Sequence, residues 1–153
     1  MGTITDAVRR EADRAVLCWL ATVSADGIPN VSPKEIWRVH DDSTVVIAEI
    51  ASPRSLRNLR HNSAACVSFV DVFRQRGFKL VGSVRVVGRA DPDFGEMAGA
   101  LVEIAGDKFK VRNALVLTVE RVAPIVAPSY ALHGATEDEM VAQSFRTYSV
   151  RPA

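Results

Sequence analysis

Thr44-Val45-Val46-Ile47-Ala48-Glu49-Ile50-Ala51-Ser52-Pro53-Arg54-Ser55 reads as a strand that runs directly into the start of a helix. Thr44 to Ile50 is dense in the β-branched residues that suit a pleated, half-buried surface. Ser52-Pro53 opens a helix, because serine can cap free backbone N–H groups and proline tolerates the first helical position. That helix reaches about Asn62. A helix N-terminus presents unpaired N–H groups and partial positive charge, to which Arg54 adds a charged fork and Ser55 a hydroxyl. The segment is therefore a candidate phosphate cradle. The alternative from these residues alone is that Ser52 simply caps the helix and Arg54 is a solvated surface charge.

Working outward towards the N-terminus, His40-Asp41-Asp42-Ser43 is a turn, preceded by a strand from about Pro29 to Val39. Ser24-Ala25-Asp26-Gly27 supplies a tight hairpin, and the apolar run Val16 to Val23 is its first strand. Before it, Thr5 or Asp6 caps a helix in which Ile4, Val8, Ala12 and Ala15 recur at helical spacing. Towards the C-terminus, strand-like Ala64 to Val70 and Phe78 to Arg89 flank a polar loop from Phe73 to Gly77, with Leu80, Val84 and Val86 on one face. Asp91-Pro92-Asp93 opens a helix with an apolar stripe of Phe94, Met97, Leu101 and Ile104, ending at Gly106. Ala114 to Val122 is the last strand, and Thr136-Glu137-Asp138-Glu139 has capping-box spacing for a terminal helix carrying Met140, Phe145 and Tyr148. The expected fold is mainly β with flanking helices: six antiparallel strands closed as a barrel, although a β-sandwich would give the same pattern.

A chain of 153 residues, 48% hydrophobic and 24% charged, is read as one ordinary globular domain over 1–153, with 126–153 as a C-terminal extension. Its net charge of +1 supplies no overall drive towards nucleic acid or a membrane surface. Cys18 and Cys66 lie in apolar strands without Cys or His at metal-ligand spacing, so buried reduced thiols are expected, with neither zinc nor a disulfide framework. No apolar signal core or membrane-length stretch is apparent, and the expected compartment is the cytoplasm. Asn30-Val31-Ser32 matches a glycosylation acceptor by coincidence.

The succession Leu20-Ala21-Thr22-Val23-Ser24-Ala25-Asp26-Gly27-Ile28-Pro29, then Ser32-Pro33-Lys34, then Ile47 through Val67, resembles the pyridoxamine 5′-phosphate oxidase-like flavin-binding family over roughly residues 10–125. The resemblance implies an FMN-binding split barrel that holds its cofactor at the interface of a homodimer. It implies that Ala48 and Glu49 pass beside the flavin and that Arg54 and Ser55 hold its phosphate. It also implies that Lys34 faces the ring, where a cation would stabilise negative charge on the reduced pyrimidine side, and that Lys79 approaches the cofactor. Family members commonly carry two adjacent basic residues where this chain has Arg54-Ser55. True pyridoxamine-phosphate oxidases also carry a C-terminal Trp and a paired Arg and His; here Arg146 and Arg151 are isolated, so vitamin B6 oxidation is not expected.

Other chemistry is thinly supported by the residues. Ser24, Asp26, His40 and His61 have local explanations as turn or helix-end residues, and His133 reads as an exposed loop residue. Trp19 is expected in the core, and no Gly-rich dinucleotide fingerprint follows a strand. The expected activity is flavin-dependent oxidoreduction with a small-molecule donor or acceptor such as NADH or NADPH. The competing expectations are an FMN storage or sensing module, or a split barrel that holds F420 or haem.

Overall fold

The computed structural model of the protein describes residues 3–152. Seven strands form one antiparallel sheet: β1 (Cys18–Val23), β2 (Pro29–Lys34), β3 (Trp37–Val39), β4 (Thr44–Glu49), β5 (Ala64–Asp71), β6 (Arg76–Gly88) and β7 (Asn113–Val126). Their order is β2-β1-β5-β6-β7-β4-β3. β2 and β3 are thus the two edges, yet only Glu35 and Ile36 separate them in the chain. Three Cα steps from Lys34 to Trp37 span at most about 11 Å, so the sheet must curl until its edges nearly meet. The result is a split barrel rather than a sandwich.

The same crossing explains why the strand expected from Pro29 to Val39 is two strands, and the expected six are seven. At Glu35-Ile36 the chain leaves β1 and joins β4, where the Ile36 carbonyl accepts from Ala48 N at 2.9 Å. The β1–β2 hairpin lies where the Asp-Gly pair placed it, with Gly27 at φ +78° and Gly27 N donating to the Ser24 carbonyl at 3.0 Å. Only the glycine takes the left-handed conformation there.

Five α-helices flank the sheet: α1 (Asp6–Arg14), α2 (Pro53–His61), α3 (Phe94–Ala105), the short α4 (Pro128–Leu132) and α5 (Glu137–Tyr148). The barrel interior is one apolar core, built by inward residues such as Leu20, Ile47, Val67, Phe69, Leu80 and Leu117 with Val8 of α1 and Leu59 of α2. A second core lies outside the barrel, where α3 covers Val46, Ala48, Ala114 and Val116 with Ala98, Leu101 and Ala105. β4 and the Ala114–Leu117 part of β7 are therefore buried on both faces, which is why Val45–Ala48 and Ala114–Leu117 read as unbroken apolar runs.

Two expectations about buried groups are corrected. Trp19 is 46% exposed on the outer face of β1, whereas Trp37 is buried and packs on Phe69 with ring centroids 5.1 Å apart. On α3 the buried stripe runs through Ala98, Leu101 and Ala105, leaving Ile104 55% exposed. Phe94 and Met97 of the expected stripe also pack against this core, with Leu101 buried at its centre, so Ile104 is the member that departs, and Ala98 and Ala105 let the helix approach closely.

The C-terminal residues dock on the β5–β6 turn. The α5 capping box forms as expected from Thr136 and Glu139. Phe73 packs on Phe145 at 5.2 Å and on Tyr148 at 6.0 Å, while Arg74 bridges Glu11 at 2.9 Å and Glu137 at 2.5 Å. Tyr130 Oη donates to the Arg74 carbonyl at 2.7 Å. No helix among the described residues is long and apolar enough to cross a membrane.

Candidate functional site

β4 ends at the foot of α2, and there the buried polar groups converge. Glu49 is 2% exposed. Its Oε1 accepts from Ser52 N at 2.8 Å and its Oε2 from Asn113 Nδ2 at 2.9 Å. Lys34, at the end of β2 and opposite Cys18 on the inward face, is 6% exposed. Its Nζ donates to Ser52 Oγ. Burial pushes the Lys34 ammonium below its ordinary pKa, and the negative charge of Glu49 partly opposes that shift. Lys34 is thus neither a solvated edge lysine nor free: it is a buried cation balanced by a buried carboxylate.

This network changes the helix start. Ser52, read from the sequence as the cap of α2, makes no capping hydrogen bond because its hydroxyl is engaged by Lys34. Pro53 has no N–H, and Leu56 N bonds the Ser52 carbonyl at 3.1 Å. The amides of Arg54 and Ser55 have no acceptor among the described residues. Of these two donors, that of the exposed Arg54 remains open to an external anion. Ser55 is 1% exposed, and its Oγ faces Asn30 Nδ2 at 3.5 Å.

Two clefts flank this helix start. The first, of about 390 Å³, is walled by Leu17, Ile36, Ala48, Ile50 and Phe109, with Lys34, Glu35 and Ser52 as its polar side chains. The second, of about 460 Å³, lies between α2 and the β1–β2 hairpin and is lined by Arg54, Arg57, Asn58 and His61 against Asp26 and Asn30. A mainly apolar slot with one cation and one carboxylate, next to an uncapped amide and an arginine, fits a planar ring joined to a phosphate. Among the described residues no group of three or more His, Cys, Asp or Glu could hold a metal ion.

The structure thus brings Lys34, Ala48, Glu49, Arg54 and Ser55 together around one helix start. Lys79 stands apart within the chain, exposed on the outer face of β6 opposite Ser68. Ser52, Asn113 and Phe109 were missed. Phe109 sits in the charged run Asp107-Lys108-Phe109-Lys110, and an isolated aromatic there has no periodicity to mark it. Asn113 is recognisable only once β7 is paired with β4, where it faces Glu49.

Residues 4–125 match the family model described as pyridoxamine 5′-phosphate oxidase. The chain belongs to the pyridoxamine 5′-phosphate oxidase family. Among solved structures it is similar to HupZ of Group A Streptococcus, at 26% identity and a TM-score of 0.69, over 81% of this chain and 95% of that one. An FMN-binding protein from Syntrophomonas wolfei shares the fold at 15% identity and a TM-score of 0.64, over 77% and 86% of the two chains. The haem storage protein HutZ of Vibrio cholerae shares it at 20% identity and a TM-score of 0.60, over 78% and 89%. No curated relative matches the chain. The same fold thus occurs in proteins named for different planar cofactors.

Proposed function

We propose that the protein is an FMN-binding oxidoreductase of the pyridoxamine 5′-phosphate oxidase family that works as a homodimer. The observation that carries this reading is the uncapped first turn of α2, with Arg54 beside it and an apolar cleft containing Lys34 adjoining it. The side chain and amide of Arg54 would hold the phosphate, with the buried Ser55 beneath them. Ala48, Ile50 and Phe109 would wall the ring, and Lys34 would face its electron-rich side. FMN supplies hydride and electron transfer when bound, while the chain binds, orients and tunes it. The isolated Arg146 and Arg151 argue against vitamin B6 as the substrate.

A second copy supplies the missing wall in this reading. The outer face of β1 and β2 presents Trp19 at 46% and Val31 at 58% exposure, close to Val16 at 77%. Large apolar residues clustered on one face are characteristic of a protein contact rather than of a free monomer surface.

Titration of the apoprotein with FMN and riboflavin, followed by flavin fluorescence, tests the cofactor. FMN should bind more tightly than riboflavin. Arg54→Ala should weaken FMN by about tenfold, from a charged hydrogen bond of about 1.5 kcal/mol, and leave riboflavin unchanged. Equal losses for both ligands would remove Arg54 from the phosphate site, and a Soret band in place of a flavin spectrum would replace FMN by haem. Anaerobic mixing with NADH and NADPH separates catalysis from storage, since a storage protein shows no fast bleaching with either.

A further inference from the structure

We infer that the exposed mouth of the apolar cleft is a donor subsite, where Glu35 and Phe109 receive a planar hydride donor whose ring is neutral before the transfer and cationic after it. This rests on the flavin reading above and names the substrate class for the same site.

The lining of the cleft divides by depth. Lys34, Ile36 and Ala48 are buried and form its floor, while Pro33, Glu35, Ala51 and Phe109 are exposed and form its mouth. Neighbours along a strand point to opposite faces, yet Lys34 and Glu35 border one cleft because it lies where the sheet edges part. The Lys34 ammonium donates to Ser52 Oγ and its charge is partly offset by Glu49. Glu35 forms no ion pair among the described residues. The cleft thus has a cation at its floor and an unpaired carboxylate at its mouth. That polarity favours an electron pair moving inwards, because negative charge develops beside Lys34 and positive charge beside Glu35. The donor gives one hydrogen with its C–H electron pair to the ring and departs as a cation, so the transfer needs no further oxidant or base.

The requirement for a flat donor comes from Phe109. Ile36, Ala48 and Ile50 pack with the core between the sheet and α3, so those walls are fixed. Phe109 belongs to neither core and is 48% exposed. It lies on a short strap whose ends are anchored by the buried Ala105 and Val111, and every residue from Gly106 to Lys110 is exposed. The Gly106 amide still bonds the Val102 carbonyl, and Arg112 N donates to the Glu49 carbonyl at 3.0 Å. Among the described residues, no backbone hydrogen bond to another element holds the span between them. Gly106 turns the chain at φ +54°, the left-handed region that favours glycine. Phe109 is therefore a wall that can withdraw, and a flat ring can take over its stacking contact where a bulky saturated group cannot.

The test uses protein saturated with FMN and two donors, NADH and N-benzyl dihydronicotinamide, which keeps the ring without the phosphates. Bleaching is followed after anaerobic mixing, and binding of the oxidised N-benzylnicotinamide cation is read by calorimetry. Glu35→Gln should slow bleaching by both donors about fivefold, as for an exposed charge pair, and weaken the cation, with bleaching by dithionite unchanged. Phe109→Ala should tighten the cation about fivefold, since one stacked aromatic no longer has to be displaced, and Phe109→Trp should reverse that gain. A folding defect does not produce tighter binding. Either the Gln or the Ala variant behaving as the parent protein, or no bleaching by either donor, would overturn the inference alone. Failure to bind FMN would overturn the flavin reading with it.

Discussion

Lys34 carries two separable consequences, one for the cofactor and one for the fold. A cation beside the ring favours the anionic reduced form, so Lys34→Met should make the FMN midpoint potential more negative. Glu49 offsets part of the lysine charge, and a loss of about 1.4 kcal/mol corresponds to roughly 30 mV for a two-electron couple. Spectroelectrochemistry of the reconstituted variant checks this, and an unchanged potential would confine Lys34 to holding Ser52. The second consequence is a pH dependence. Burial depresses the Lys34 pKa below 10.5, so just below that pH the unfolded chain binds a proton the native one lacks, and this contribution to stability rises with pH. Cys18, whose thiol is pushed up from 9.0 by burial, acts with the opposite sign above that pH. Urea unfolding between pH 8 and 10.5 should therefore show a smaller rise, or a steeper fall, in Lys34→Met than in the parent protein.

Among the elements, the pairing of β6 with β7 is the longest in the sheet and contains its one irregularity. Val81 pairs with Arg121 and Gly82 with Val119, which leaves Glu120 as an extra residue on β7. The bulge lets Leu115, Leu117 and Val119 point inward before it and Val122 after it, so both halves of a 14-residue strand serve the same core. It also brings the backbones together at Gly82, where an added Cβ would stand 1.9 Å from the Thr118 carbonyl oxygen. The obstacle is backbone and cannot rotate away. Gly82→Ala should cost about 3 kcal/mol or more, seen as a lower urea midpoint with an unchanged slope. An unaltered midpoint would mean that β7 can shift its register at no cost.

At the scale of the whole molecule, the curl of the sheet creates both the candidate site and the apolar surface on which the proposed dimer rests. Bringing β2 round to β3 places Lys34 of one edge against Ser52 after β4, and the same curvature turns Trp19 outward. The proposed dimer links these features. Trp19→Glu should shift sedimentation towards the monomer and weaken FMN binding in parallel, while FMN should tighten association of the parent protein, because a ligand that bridges subunits favours the assembly. A monomeric variant with undiminished FMN affinity would separate the site from the second copy.

Sequence alone determined the features that depend on neighbouring residues. The Asp26-Gly27 hairpin, the start of α2 at Ser52-Pro53, the capping box at Thr136 and Glu139, and the convergence of β4 on Arg54 all follow from local chemistry acting over a few residues. Tertiary structure decided everything that required knowing which strand lies beside which. Trp19 and Trp37 are both tryptophans in apolar strands, yet pairing sends one outward opposite Pro33 and the other inward onto Phe69. The break at Glu35-Ile36 exists because the barrel has to close there. Ser52 had the composition of a cap, but Lys34, 18 residues away, claims its hydroxyl and leaves the Arg54 amide of α2 open. A side-chain donor brought close by the closed sheet outcompetes a local capping bond, because the buried ammonium must have a partner while the amide of the exposed Arg54 can be satisfied by water or an anion.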